Sequence, residues 1–322
     1  MRRGDLTLVV FVGVVLAGGL NAVAVRFSNQ ELAPFWGAAW RLLAGAAMLF
    51  AFVLARRIPL PRGRALVGVL LYGVLGFAAF FGFLYWGLTD APAGAASLAV
   101  ALVPLITLVL APLHGLERFR WQAVFGALVS VAGMAAVFAD QLGAGVAPIS
   151  LVALVLAAVA LSEGTVIVKV LPRSDAAVTN AIGLAVGAIL LFALSFGIGE
   201  PLAVPRRPET LFALGYLVVI GSVLLFMGFL YVLARWTASA ASYQLVFMPL
   251  VTLPAAALLR GEPVSGGFLV GGALVLAGVY LGAIAPPLPL IGQAPPATHL
   301  APATPLSVVG QGQAGFLPPN CP

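Results

Sequence analysis

The chain has 322 residues, of which 62% are hydrophobic and only 8% charged, and its mean hydropathy is +1.13. A soluble globular domain carries roughly a quarter of its residues charged, so this composition excludes one and places the chain in lipid. The net charge of +6 comes from basic residues scattered between apolar runs, without the aromatic-interleaved basic patch of a nucleic-acid binder, and the single cysteine, Cys321, excludes an intrachain disulfide and a thiolate metal cluster.

Apolar runs of about 20 residues, the length a bilayer-crossing helix needs, recur ten times. In chain order they are Leu6 to Phe27, Leu32 to Ala55, Ala65 to Leu88, Ala91 to Leu113, Trp121 to Ala139, Pro148 to Leu171, Ala176 to Phe196, Glu209 to Leu233, Ala238 to Leu259 and Gly266 to Ala285. The first could be read as a cleavable signal peptide, with Met1-Arg2-Arg3 as its basic start and Ala22-Val23-Ala24 as its cleavage site. Its apolar region exceeds the roughly 7 to 15 residues of such a peptide, which favours a retained helix. Between the sixth and seventh spans, Ser174 or Asp175 is placed to cap the next helix. From Pro286 onward the chain is rich in Pro, Gly, Ala and Gln with almost no charge, the composition of a disordered tail.

Lys and Arg divide unevenly between alternate connections. On the side of the N-terminus stand Arg2, Arg3, Arg56, Arg57, Arg62, Arg64, Arg118, Arg120, Lys169, Arg173 and Arg235; on the other stand Arg26, Arg206, Arg207 and Arg260. That bias predicts both termini in the cytoplasm.

A short pattern recurs about 145 residues apart: Ala95-Ala96-Ser97, Pro104-Leu105, Thr107 and Glu117 return as Ala240-Ala241-Ser242, Pro249-Leu250, Thr252 and Glu262. Gly126 and Gly133 are matched by Gly271 and Gly278, and Phe83-Leu84-Tyr85 by Phe229-Leu230-Tyr231. Five helices per copy is an odd number, so the second copy enters the membrane from the opposite side. The predicted fold is an all-α integral membrane bundle of ten transmembrane helices in two inverted five-helix repeats, 1–145 and 146–285, followed by a cytoplasmic tail, 286–322. Two similar halves around a site between them are a recurrent transporter plan.

Together with Leu16-Ala-Gly-Gly-Leu-Asn21 and Trp40-Arg41-Leu42-Leu43, the duplicated Ala-Ala-Ser, Pro-Leu and Glu series resembles the drug/metabolite transporter superfamily, specifically its ten-helix EamA-type permeases, over roughly Leu6 to Ala285. The resemblance implies a central cavity lined by helices one, three, four, six, eight and nine. It also implies alternating access, a bacterial inner membrane, and export of amino acids or related small metabolites. Drug, cation or nucleotide-sugar-like substrates are the alternative within the superfamily, and a non-transporting scaffold or sensor is the alternative outside it.

Charge inside a bilayer costs at least about 2.5 to 3.5 kcal/mol, so intramembrane polar groups face a partner or a wet cavity. Glu163 in the sixth span, Asn21 at the same depth in the first, and Arg41 in the second are such groups. Glu163 is a candidate for an ammonium ligand or a proton carrier, or else is neutralised by Lys169 or Arg41. Ser97 and Ser242 recur at small-residue faces suited to close helix contact, and with Trp40, Tyr85, Tyr243 and Gln244 they complete the candidate substrate-binding set. Aromatic walls suit a ligand with an apolar body. Pro104 and Pro249 each remove a helical hydrogen bond and are candidate gate hinges, with Thr107 and Thr252 three residues on. Glu117 and Glu262 are expected to pair with a neighbouring Arg or cap the following helix.

The two histidines, His114 and His299, offer no metal-ligand spacing or catalytic triad, so neither a metal site nor an enzyme is expected. There is also no Gly-rich phosphate loop ending in Lys-Ser or Lys-Thr. No cofactor is expected, and energy then comes from an ion gradient, with protons as one candidate, or from the substrate's own gradient. The expected partners are the lipid bilayer and a small-molecule substrate.

Overall fold

The computed structural model describes residues 3–88, 91, 93–139, 147–260 and 267–284, and all secondary structure among them is helical. Glu262 and the tail from Pro286 lie outside the described residues. In the first half of the chain run α1 (Arg3–Ser28), α2 (Pro34–Ala55), α3 (Arg64–Tyr72), α4 (Phe80–Gly87), α5 (Ala93–Ala101), α6 (Val103–Leu113) and α7 (Trp121–Val137). The second half supplies α8 (Pro148–Val170), α9 (Ala176–Gly197), α10 (Pro208–Val218), α11 (Leu225–Leu233), α12 (Ala238–Ser242), α13 (Gln244–Arg260) and α14 (Gly267–Val279). A π-helical segment, Gly73–Ala79, joins α3 to α4, and another, Val219–Leu224, joins α10 to α11.

Among the described residues, seven stretches are long and apolar enough to cross a bilayer: Leu6–Ser28, Pro34–Ala55, Arg64–Gly87, Ala95–Leu113, Pro148–Val170, Ala176–Gly197 and Pro208–Leu233. Trp121–Val137 and Gly267–Gly282 are apolar but shorter. The expected ninth span is divided at Tyr243, between α12 and α13, as the fourth is at Leu102.

Without a hydrophobic difference between lipid and protein, helices associate through close packing of small residues. The broad α7–α14 contact follows that rule. A methyl group on Gly271 would stand 2.5 Å from the Gly133 carbonyl oxygen, and one on Gly278 would stand 2.5 Å from that of Gly126. The four glycines of the sequence repeat therefore face each other, with 126 against 278 and 133 against 271, so the two helices run antiparallel. Helices α2 and α9 are antiparallel as well, since Trp36 meets Phe192 and Phe196 while Leu42 lies by Gly187 and Gly45 by Leu184.

The remaining large contacts come in matched pairs. Helix α1 packs on α13, with the Thr252 hydroxyl donating to the Gly19 carbonyl at 2.9 Å, while α8 packs on α6, with the Ser162 hydroxyl donating to the Val103 carbonyl at 3.3 Å. Helix α1 also meets the second π segment, and α8 the first.

Carboxylates tie distant helix ends together. A helix N-terminus leaves backbone N–H groups unpaired and favours negative charge. Glu200, after α9, accepts from the N–H groups of Phe35 and Trp36 at 3.1 and 2.8 Å and from the Ser195 hydroxyl at 2.7 Å. Glu31 accepts from Arg206 and Arg207 N–H at the start of α10, and the Arg207 bond holds its carboxyl below the ordinary carboxylate range. Glu117 accepts from Ala238 and Ser239 N–H at 2.6 and 3.2 Å. It thus caps α12, on the far side of the sequence, rather than the helix that follows it. Of the two capping candidates before α9, Asp175 does the work, accepting from Ala177 N–H at 2.8 Å. Replacing Glu200 with alanine is expected to cost about 2 kcal/mol by removing both bonds to α2, read as a lower thermal midpoint in detergent.

Candidate functional site

The second π segment sits against α1. A side chain on Gly221 would collide with the Asn21 carboxamide oxygen, so glycine is what lets that amide lie on the backbone of the segment. The Asn21 oxygen and the neighbouring Ser222 hydroxyl are both buried without a hydrogen-bond partner. On the other side of the bundle, Gly164 presses on Gly76 of the first π segment. The structural counterpart of Asn21 is therefore Gly164, and the equal depth of Asn21 and Glu163 in their spans is not an equivalence in packing.

Glu163 lies one position round the helix and meets His114, with Oε1 3.1 Å from Nε2. Neither partner expected from the sequence engages it. Lys169 instead donates to the Trp236 carbonyl, and Arg41 lies over the Phe81 ring, 4.9 Å from its centroid.

Arg41 is the strongest polar anomaly of the fold. Its side chain is buried, at 2% exposure, and Nε and both terminal nitrogens lack a hydrogen-bond partner. A guanidinium carries five N–H donors in a rigid fork suited to a carboxylate. Tyr85 is brought beside it: its ring stacks on Phe81 at 5.9 Å and meets the edge of Phe35 at 5.8 Å. Trp40, by contrast, is 46% exposed on the outer face of α2, edge-on to Trp36 and Phe192, so the fold turns it away from Arg41.

Ser242, Tyr243 and Gln244 gather at the break between α12 and α13. The Ser242 hydroxyl donates to the Ser239 carbonyl and the Gln244 amide to the Ala241 carbonyl, which ties both to the local backbone. The Tyr243 hydroxyl, tucked against Gly282, and the Gln244 carboxamide oxygen remain buried without partners. Ser97 is partly buried on α5.

The two prolines named as hinges are not placed alike in their helices. The fourth span breaks at Leu102, and Pro104 stands in the first turn of α6, where a missing N–H leaves nothing unpaired. Pro249 is interior to α13, and Pro254, absent from the sequence reading, joins it there. Thr107 and Thr252 donate to the carbonyls four residues before them, Val103 and Met248.

Sequence reasoning also passed over Asn180, whose amide is wholly buried with neither atom partnered, and Phe81, the platform under Arg41. Asn180 carried a legible signal, a carboxamide inside an apolar span; Phe81 carried none among so many phenylalanines.

The sequence profile of the EamA-like transporter family matches this chain twice, over residues 5–139 and 148–283. A relative from Streptantibioticus cattleyicolor named as a probable terminal-alkyne amino-acid exporter is 31% identical, over 69% of this chain and 74% of its own. An uncharacterized transporter of Archaeoglobus fulgidus is 28% identical, over 82% of this chain and 93% of its own. The uncharacterized inner membrane transporter YedA of Escherichia coli is 25% identical over 77% and 80%. One solved crystal structure superposes with a TM-score of 0.72 over 86% of this chain and 96% of its own; at 22% identity it shows a shared fold.

Proposed function

The chain belongs to the EamA-like transporter family, and from that membership we propose that it is a secondary carrier exporting amino acids or related small metabolites by alternating access. As a multi-pass membrane transporter it works in a lipid bilayer on a small-molecule substrate. The observation that carries the mechanism is the exchange of contacts between the two matched stretches. Helix α2 packs on its counterpart α9 and α7 on α14, each pair antiparallel, while α1 and α8 swap equivalent partners.

That pattern supports ten spans in two inverted repeats, 1–145 and 146–285, which rock about a site between them, with 286–322 as a cytoplasmic tail. The basic-residue bias supports both termini in the cytoplasm, and the naming of relatives supports a bacterial inner membrane.

The ligand class follows from Arg41. Its free guanidinium beside Phe81 and Tyr85 suits a carboxylate attached to an apolar or aromatic body. Asn21 and Gln244, each with an unpartnered carboxamide oxygen, are acceptors for an ammonium or amide donor, and Tyr243 offers a free hydroxyl. Ser97, Ser242 and Glu163 complete the proposed set. Trp40 is left to the protein's outer face.

Counterflow in proteoliposomes tests the reading. Vesicles loaded with unlabelled phenylalanine, leucine or threonine are expected to accumulate the labelled amino acid transiently, and Asn21→Ala is expected to lower the initial rate about tenfold or more, through loss of a buried polar contact. Absence of counterflow with every amino acid tried overturns the substrate class.

A further inference from the structure

His114 closes α6, and its ring is held from both sides. Nδ1 lies 3.0 Å from the Leu110 carbonyl oxygen, and Nε2 lies 3.1 Å from Glu163 Oε1. A carbonyl oxygen only accepts, so Nδ1 is the donor in the first contact. In a neutral ring with its proton on Nδ1, Nε2 presents a bare lone pair toward the carboxylate. The second contact is then a hydrogen bond only if one proton sits between the two groups, on Nε2 or on the carboxyl. Without it, two lone pairs face each other across 3.1 Å. A third of the His114 side chain and a quarter of that of Glu163 remain open, so the proton can come and go.

The pair is connected through the chain to the start of α12. His114 is followed by Gly115, a turn at φ +71°, and two residues later by Glu117, the acceptor that caps α12. Lys169 of α8 bonds the Trp236 carbonyl just before α12. The end of α6 is thereby fixed to α8 through His114 and to α12 through Glu117, on the side counted as cytoplasmic.

We infer that His114 and Glu163 form a one-proton binding site that couples transport to pH: with the proton bound, α6 is clamped between α8 and α12 and the cytoplasmic side is closed, and release of the proton to the cytoplasm opens it to substrate. Proton inward and substrate outward make the exchange an antiport. This rests on the transporter reading above and deepens it.

Among the described residues, the helices packed around the pair carry few titratable groups. Helix α8 packs against α3, the first π segment, α4, α5, α6 and α12, and α6 packs against α5, α7, α8 and α12; the π segment, α5, α7 and α12 carry none, and α6 carries none before His114. On α3, Arg64 is exposed and the Tyr72 ring packs on Phe77; on α4, Tyr85 lies on Phe81. Lys169 is engaged with Trp236, and Glu117 with α12.

Two measurements test the inference separately from the transport reading. With His299→Gln, His114 is the only histidine of the chain, and nitrogen NMR of labelled histidine in lipid nanodiscs reads its protonation directly. An imidazole changes charge between about pH 5 and 8. The ring is expected to exchange one proton as the pH is varied, with a response altered by Glu163→Gln. A ring fixed in one protonation state, or a curve indifferent to Glu163→Gln, overturns the inference.

In proteoliposomes with the membrane potential clamped, a one-unit pH gradient supports up to about a tenfold concentration ratio of labelled phenylalanine for one-to-one exchange. His114→Gln is expected to bring that ratio to one, and a ratio equal to the parent's overturns the coupling. Failure of counterflow in the parent with every amino acid overturns the amino-acid reading instead, while the NMR titration decides the proton site by itself.

Discussion

Replacing Arg41 with methionine is expected to make the substrate-free protein more stable and nearly inactive. The guanidinium is buried with none of its nitrogens hydrogen-bonded, and a desolvated charge without a partner is a net cost to the fold. Substituting an apolar residue of similar length for buried ionic groups is often stabilising, by about 1 to 4 kcal/mol. The same change removes the fork of donors beside Phe81 and Tyr85. Loss of one partner from a buried charge pair costs about 2 to 5 kcal/mol in binding, which corresponds to an apparent affinity for a carboxylate substrate lower by on the order of 100-fold. Thermal unfolding in detergent and saturation of amino-acid counterflow read the two effects. A lower midpoint together with normal saturation makes Arg41 a packing residue and removes the carboxylate subsite.

Gly271→Leu is expected to be the most damaging single substitution in the described helices. Backbone approaches backbone at this crossing: an added carbon meets the Gly133 carbonyl oxygen at 2.5 Å and Val137 N at 2.7 Å, and neither can rotate away. Overpacking of a core costs about 1 to 3 kcal/mol when side chains yield, and here the helices must separate, so a loss of about 3 kcal/mol or more is expected. The measurement is the thermal midpoint and the folded yield in detergent. Gly215→Ala is the control, since nothing lies within 4 Å of the added methyl group, and relief of helical glycine should leave it neutral or up to about 1 kcal/mol more stable.

What the sequence could tell depended on whether a residue's role is local or relational. Span positions were legible because apolar length is a property of a segment, and the recurrence of Gly126 and Gly133 as Gly271 and Gly278 marked the repeat. That these glycines meet each other was invisible, because periodicity gives a face and not its partner. Asp175 was readable as a cap since it serves the helix beside it, whereas Glu117 serves α12, about 120 residues on. The break at Leu102 was hidden by a proline two residues later that drew attention to itself, and the π segments leave no mark in composition. Polar residues in apolar spans stood out in the sequence. Arg41, Glu163 and Asn21 all proved unusual in their surroundings, although the partner of Glu163 was a histidine set aside as a helix-end residue.

The antiparallel pairing of α2 with α9 and α7 with α14 has a consequence for how the chain is made. At typical synthesis rates, α9 leaves the ribosome on the order of 10 s after α2, since about 140 residues separate Pro34 from Ala176. During that interval the faces of α2 and α7 that later meet α9 and α14 lack those partners, and acyl chains or other nascent helices must cover them. The earlier half of the chain is therefore exposed to membrane quality control until the later half arrives. Mutations in the later half that slow insertion should lower the amount of protein through degradation of the earlier half, even where the finished carrier would be sound.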